Sequence, residues 1–143
     1  MISYSCLTNP TIKDHAQLVR LIRQLSSAPR ELTLTDLHTT ALSHYLVIAR
    51  DDELDGQIVG TALLVTMRTL SHVSAHIEDV VVDETHRGQG IGKELTRQLI
   101  AYAREMNIER IDLCSEPERA SANRLYLSLG FTVRDTNLYR LKL

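Results

Sequence analysis

Val80-Val81-Val82-Asp83-Glu84-Thr85-His86-Arg87-Gly88-Gln89-Gly90-Ile91-Gly92-Lys93 is the stretch around which the rest of the chain is arranged. Three consecutive β-branched residues suit a buried strand, and Asp83 with Glu84 ends it. Beyond Lys93, the residues Leu95, Leu99, Ile100 and Ala103 recur at helical spacing. The unit is therefore strand, glycine-rich turn, helix. A helix start carries free backbone N–H groups and the positive end of its dipole, so it attracts anions. Gly88, Gly90 and Gly92 let backbone approach a bulky group and permit positive φ. The turn reads as a phosphate cradle.

Spacing decides which cradle. The dinucleotide fingerprint needs G-x-G-x-x-G, whereas Gly88, Gly90 and Gly92 are spaced two and two. The nucleotide P-loop needs four residues between its first Gly and Gly-Lys, then Ser or Thr. Here Gln89, Gly90 and Ile91 intervene and Glu94 follows Lys93. Both fail. The pattern Arg87-x-x-Gly90-x-Gly92 after an apolar strand resembles the GNAT family of N-acetyltransferases, whose loop amides hold the pyrophosphate of acetyl-CoA. A second block, Asn123-Arg124-Leu125-Tyr126-Leu127-Ser128-Leu129-Gly130-Phe131, is similar to that family's Asn-x-x-Tyr…Gly-Phe segment. Asn123 and Tyr126, three apart, share one helix face, and Leu125 and Leu129 can face a core. The resemblance covers most of the chain from Tyr45 onward and, more weakly, the helices before it.

Composition sets the frame for this reading. With 143 residues, the simplest organisation is one domain, residues 1–143, able to bury a core without staples. The 43% hydrophobic and 24% charged fractions are ordinary for a soluble globular protein. A net charge of −2 leaves no footprint for nucleic acid or an anionic membrane, so neither is expected as a partner. Cys6 and Cys114 lack zinc-ligand spacing and are too few for a disulfide framework. Cys114 should end an apolar strand, buried and inert. The six histidines show no helical i, i+4 pair, so no metal is expected. No signal segment opens the chain and no apolar run approaches ~18 residues, which suggests a cytoplasmic protein.

Taken from its start, Ile2 to Leu7 is a short strand stopped by Asn9-Pro10. Leu18, Leu21, Ile22 and Leu25 give one apolar helix face, broken by Ser26 to Pro29. Thr33 or Thr35 caps a second helix with Leu37, Ala41 and Leu42 inward. Tyr45 to Ala49, Ile58 to Leu70 and Ser74 to Val82 form an antiparallel meander, with Gly60 permitting a bend or bulge. Ile111 to Cys114 follows the central helix as a parallel strand. Ala120 to Leu129 is a helix ended by Gly130, and Phe131–Val133 and Leu138–Leu141 close the sheet. The expected class is α/β, a mixed sheet of about six to seven strands flanked by about four helices. The resemblance implies a sheet splayed at the acetyl-CoA cleft.

It also implies roles. Val80, Val81 and Val82 would pair with the pantetheine arm and meet the thioester carbonyl. Arg87, Gly88, Gln89, Gly90, Ile91, Gly92 and Lys93 would cradle the phosphates, Asn123 would contact the pantetheine, and the Tyr126 hydroxyl would protonate the leaving thiolate. Glu78 and Asp79 are two adjacent acids in an apolar strand, costly to bury without purpose. Alternation sends them to opposite faces unless a bulge intervenes. A Glu at this offset is the proposed base in several family members, so Glu78 is the candidate base and Asp79 the candidate acceptor ligand. His76 lies two residues before Glu78 and is the histidine placed to touch substrate. Lacking a His-activated cysteine, the chain favours direct transfer.

The expected reaction moves an acetyl group from acetyl-CoA to a primary amine of a small molecule. Ile58-Val59-Gly60-Thr61-Ala62 through His76-Ile77-Glu78-Asp79 looks like the glucosamine-phosphate branch, although that branch has Asp where this chain has Ser115 and Glu116. Amino-sugar phosphates, polyamines and amino-acid-like compounds are thus all candidate acceptors. Alternatives are acetylation of a protein or peptide, and a non-catalytic acyl-CoA-binding module. A homodimer is expected by analogy with small members of the family.

Overall fold

The computed structural model describes all 143 residues, which fall into two compact units, Met1–Leu113 and Cys114–Leu143. The first unit is a five-stranded sheet in sequence order: β1 (Ile2–Cys6), β2 (Tyr45–Asp51), β3 (Gln57–Arg68), β4 (Val73–Val82) and β5 (Arg110–Asp112). Neighbours are antiparallel except β4 and β5, which run parallel across the helical crossover.

Helices α1 (Ile12–Leu25) and α2 (Leu34–Ser43) begin the same way. Thr11 and Thr33 each accept from the N–H three residues on, and Asp14 and Asp36 return the bond. Each capping box closes a helix end that would otherwise leave donors unpaired. Leu18, Leu21, Leu37 and Ala41 pack from these helices against Leu46, Ile48, Ile58, Leu63 and Val81. Leu42, expected inward, points to solvent, because Leu37 and Ala41 already define the covered stripe of this short helix.

Helix α3 (Ile91–Glu105) covers the other face, burying Ile91, Leu95, Leu99 and Ala103. Gly60 is where it comes closest. A Cβ there would lie 3.1 Å from both Ile91 and Leu95 side chains. The same residue borders an irregularity in the β2–β3 register, where Ala49 pairs with Gly60 and Arg50 with Ile58, leaving Val59 as the extra residue.

The second unit contains α4 (Ala120–Ser128), followed by Gly130 at φ +94°. Residues 131–143 form no strand, so the sheet has five strands where six to seven were expected. Val133, Leu138, Tyr139 and Leu141 all stand exposed. Short β-prone segments become strands only with a paired edge and an apolar face to cover. Strand β5 likewise stops at Asp112, and Cys114 is exposed instead of buried.

Candidate active site

Strand β4 is where the geometry departs from regularity. Thr61 pairs with Val81 and Leu63 with Glu78, so Asp79 and Val80 together face Ala62. This is a bulge, and Asp79 takes it up at φ +53°. Aspartate is among the few residues that tolerate the left-handed region, through its short polar side chain. The register puts Glu78 on the Leu63 side of the sheet, and Asp79 lines the same cavity as Leu63. Alternation would have separated the two acids; the bulge turns both toward α1 and α2, each exposed. His76 pairs with Val65 on that same side and is half-buried.

Pairing between β4 and β5 covers only Ser74, Ala75 and His76. From Ile77 to Val82 the strand has a ladder neighbour on one side alone. The free side presents backbone donors and acceptors to any extended ligand, in the manner of strand addition. Val81 is buried, whereas Val80 and Val82 are half-buried.

The strand runs into a loop held by charged contacts. Asp83 is buried and accepts from Arg20, from Gln24 at 3.3 Å and from the Thr85 hydroxyl at 2.7 Å. Burial alone would raise its pKa, but the Thr85 and Arg20 hydrogen bonds outweigh that and hold it well below the carboxylate range. His86 reaches Asp51 at 3.1 Å, and Arg87 Nε donates to the Val82 carbonyl at 3.1 Å. Gly88 and Gly90 follow at φ +78° and +80°, with nothing within 4 Å of where a Cβ would sit. Gly90 is the N-cap of α3 and supplies no side chain to cap it, in contrast to the capping boxes of α1 and α2. Helix bonding begins with Glu94 N–H to the Gly90 carbonyl. The N–H groups of Ile91, Gly92 and Lys93 therefore precede the first helical bond. Gly92 and Lys93 are half-buried in this first turn, and Arg87 to Gly90 are exposed, Gln89 among them.

A cavity of about 450 Å³ opens on the α1–α2 side. Leu18, Ile22 and Leu25 of α1, Leu37 of α2, and Leu63 and Val65 of β3 contribute apolar side chains to its wall. Asp79 and Arg30 are its charged members. Asp79 reaches solvent, but the wall packed about it displaces enough water from its carboxyl to raise the pKa, and Arg30 pulls against that rise.

In the second unit, Asn123 Nδ2 donates to the carbonyls of Glu116 at 3.1 Å and Pro117 at 3.4 Å, tying the preceding link to α4. Tyr126 is buried, with its ring edge-on to Phe131 at 5.9 Å. Burial raises its phenol pKa above 10.0, and Arg119 acts weakly the other way. Half-buried Leu125 and Leu129 accompany it.

Residues 14–131 match the acetyltransferase (GNAT) family. The chain belongs to that family. It is 29% identical over 137 residues to a probable glucosamine 6-phosphate N-acetyltransferase 2 of Oryza sativa subsp. japonica, covering 87% of this chain and 80% of the other. To human N-acetyltransferase 8B it is 38% identical over 81 residues, 55% of this chain and 36% of that one. The crystal structure of a Trypanosoma brucei acetyltransferase superposes with a TM-score of 0.81 at 26% identity, covering 100% of both chains. The protein is thus a GNAT acetyltransferase, and enzymes of this family use acetyl-CoA as co-substrate.

This acetyltransferase's own donors fit such a group. An anionic phosphate suits an uncapped helix start preceded by two positive-φ glycines with open Cβ directions. The amides of a pantetheine arm suit the unpaired side of β4. Sequence reading found these parts through glycine spacing and one apolar strand. It missed Arg20, Gln24 and the buried role of Asp83, because contacts about sixty residues apart leave no periodic trace. The cavity wall was missed for the same reason, although the α1 stripe that supplies Leu18, Ile22 and Leu25 to it was visible.

Proposed function

We propose that this acetyltransferase moves an acetyl group from acetyl-CoA directly to a primary amine of a small molecule, residues 1–143 acting as one catalytic domain. The observation that carries the reading is the bulge at Asp79-Val80, which turns two acids to the cavity side while β4's other edge lies open up to the glycine loop. When bound, acetyl-CoA supplies the thioester. Arg87 to Lys93 hold its phosphates through backbone N–H groups, and Val80 to Val82 align the arm by strand-like hydrogen bonds. A backbone N–H of that strand stabilises the negative charge that develops on the carbonyl oxygen. Asn123, with Nδ2 engaged by two carbonyls, retains its side-chain oxygen to accept from a pantetheine amide.

The acceptor arrives as an ammonium and must lose a proton before its lone pair can attack. Glu78 takes that proton, directly or through water, and passes it to solvent. The nitrogen–carbon bond forms, the carbon–sulfur bond breaks, and Tyr126 gives its phenolic proton to the sulfur. The second proton released by the nitrogen makes up the one Tyr126 has lost. His76, on the Glu78 side, lines the approach to it.

A thiol-release assay over a panel of amines tests this. Amine-dependent release with equimolar N-acetyl product is expected, and Glu78→Gln should lower kcat/KM by roughly 10²-fold while flattening the acidic limb of the pH profile. Release that ignores the amine, or a mutant with the wild-type pH profile, would refute the transfer or the assignment of Glu78 respectively.

A further inference from the structure

The cavity beside the bulge has a composition that selects among amines. Its wall is largely leucine, isoleucine and valine, with a single guanidinium and a single carboxylate. Thr61 Oγ1 donates to the Val47 carbonyl at 3.0 Å, and His44 Nδ1 accepts from Thr66 N–H at 3.4 Å. Ser26 Oγ accepts from Ala28 N–H at 3.4 Å. Arg30, the lone guanidinium, is already drawn to Asp36 at 3.4 Å. Recognition of a sugar phosphate needs several unengaged donors and more than one cation. The wall leaves the Ser26 and Thr40 hydroxyls to donate but offers a single guanidinium, too little charge to hold a phosphate dianion. What it offers is apolar surface and, at the edge nearest β4, a carboxylate with no hydrogen-bond or ion-pair partner within the protein, fixed by backbone at φ +53°.

We propose that the acceptor is a primary amine carried on an apolar body, such as an arylalkylamine, with its ammonium paired to Asp79 and its body against Ile22, Leu25, Leu63 and Val65. The inference rests on the N-acetyltransfer reading above and narrows its substrate. It assigns Asp79 a binding role distinct from that of Glu78. A carboxylate already partly desolvated gains from an ammonium that replaces the missing counter-charge. The apolar body supplies the remaining affinity by leaving water.

Titration calorimetry on the protein saturated with CoA tests this, using 2-phenylethylamine and glucosamine 6-phosphate as probes. The prediction is tighter binding of 2-phenylethylamine, by at least tenfold. Asp79→Asn keeps a residue that tolerates positive φ, and should weaken that binding by tenfold or more. Leu25→Lys puts a cation into the wall from the last turn of α1, where the helix dipole accepts it. It should abolish 2-phenylethylamine binding without loss of CoA affinity. Preference for glucosamine 6-phosphate, or unchanged 2-phenylethylamine affinity in both variants, would overturn the proposal. Tight, Asp79-dependent binding without acetyl transfer would sustain the pocket assignment and count against the transfer reading instead.

Discussion

At the scale of single residues, Tyr126 and Asp83 are both buried, and hydrogen bonding gives them opposite electrostatic fates. The Tyr126 phenol is pushed above its ordinary 10.0, so it stays protonated throughout the neutral range. The proton a thiolate needs is therefore present, although the rise also makes the phenol a weaker acid and leaves it no role as a base at neutral pH. Tyr126→Phe keeps the edge-on packing with Phe131 and removes one hydroxyl. A loss of ~10- to 10³-fold in kcat is expected, with little change in acetyl-CoA affinity. Steady-state kinetics with acyl donors of differing thiol pKa check it, since the mutant should depend more steeply on that pKa. Equal slopes with a normal kcat would reduce Tyr126 to a packing residue.

Asp83 goes the other way. Its folded pKa is depressed, so its contribution is complete above the unfolded value of ~3.9 and drains as pH falls through the folded value. Urea unfolding followed from pH 6 to pH 2 should show stability falling below about pH 4, with a shallower fall in Asp83→Asn. At pH 7 that substitution should cost on the order of 2–3 kcal/mol. This is below the ~3–5 for breaking a fully buried pair, because the Arg20 side chain remains 41% exposed. Parallel pH profiles for the two proteins would remove Asp83 as the anchor of the loop.

Among the elements, α3 and β4 carry both the core and the site. The strand–loop–helix unit was legible because it is local. Three valines, glycines two apart and a helical apolar rhythm all lie within two dozen residues. The bulge was legible only as a condition, since two neighbouring acids in an apolar strand imply an irregularity without saying where the ladder slips. Gly60 shows the limit of such reading. Its sequence context suggests a bend, while the structure adds that α3 presses against it. Gly60→Ala should therefore destabilise by ~1–3 kcal/mol through forced movement of Ile91 and Leu95. Because Ile91 begins the helix whose N–H groups are proposed to hold the cofactor, CoA affinity should fall along with the thermal midpoint. Calorimetric melting and CoA titration on one preparation would show both. A wild-type melting curve would mean that the helix yields without cost.

For the whole molecule, the α/β class and the meander followed from periodicity, and the strand count did not. Phe131–Val133 and Leu138–Leu141 have strand-like composition, but pairing is decided by a partner that local composition cannot supply. Leu42 and Cys114 erred similarly, being apolar residues whose exposure depends on neighbours distant in sequence.

The central claim is that acetyl-CoA lies along the unpaired side of β4 and against the uncapped start of α3. Residue-resolved amide hydrogen exchange with and without saturating acetyl-CoA tests it most directly. The account predicts slowed exchange at Val80 to Val82 and at Ile91 to Lys93, with the β1–β2 ladder unaffected. Saturated binding that leaves those six amides unchanged and protects others would contradict it.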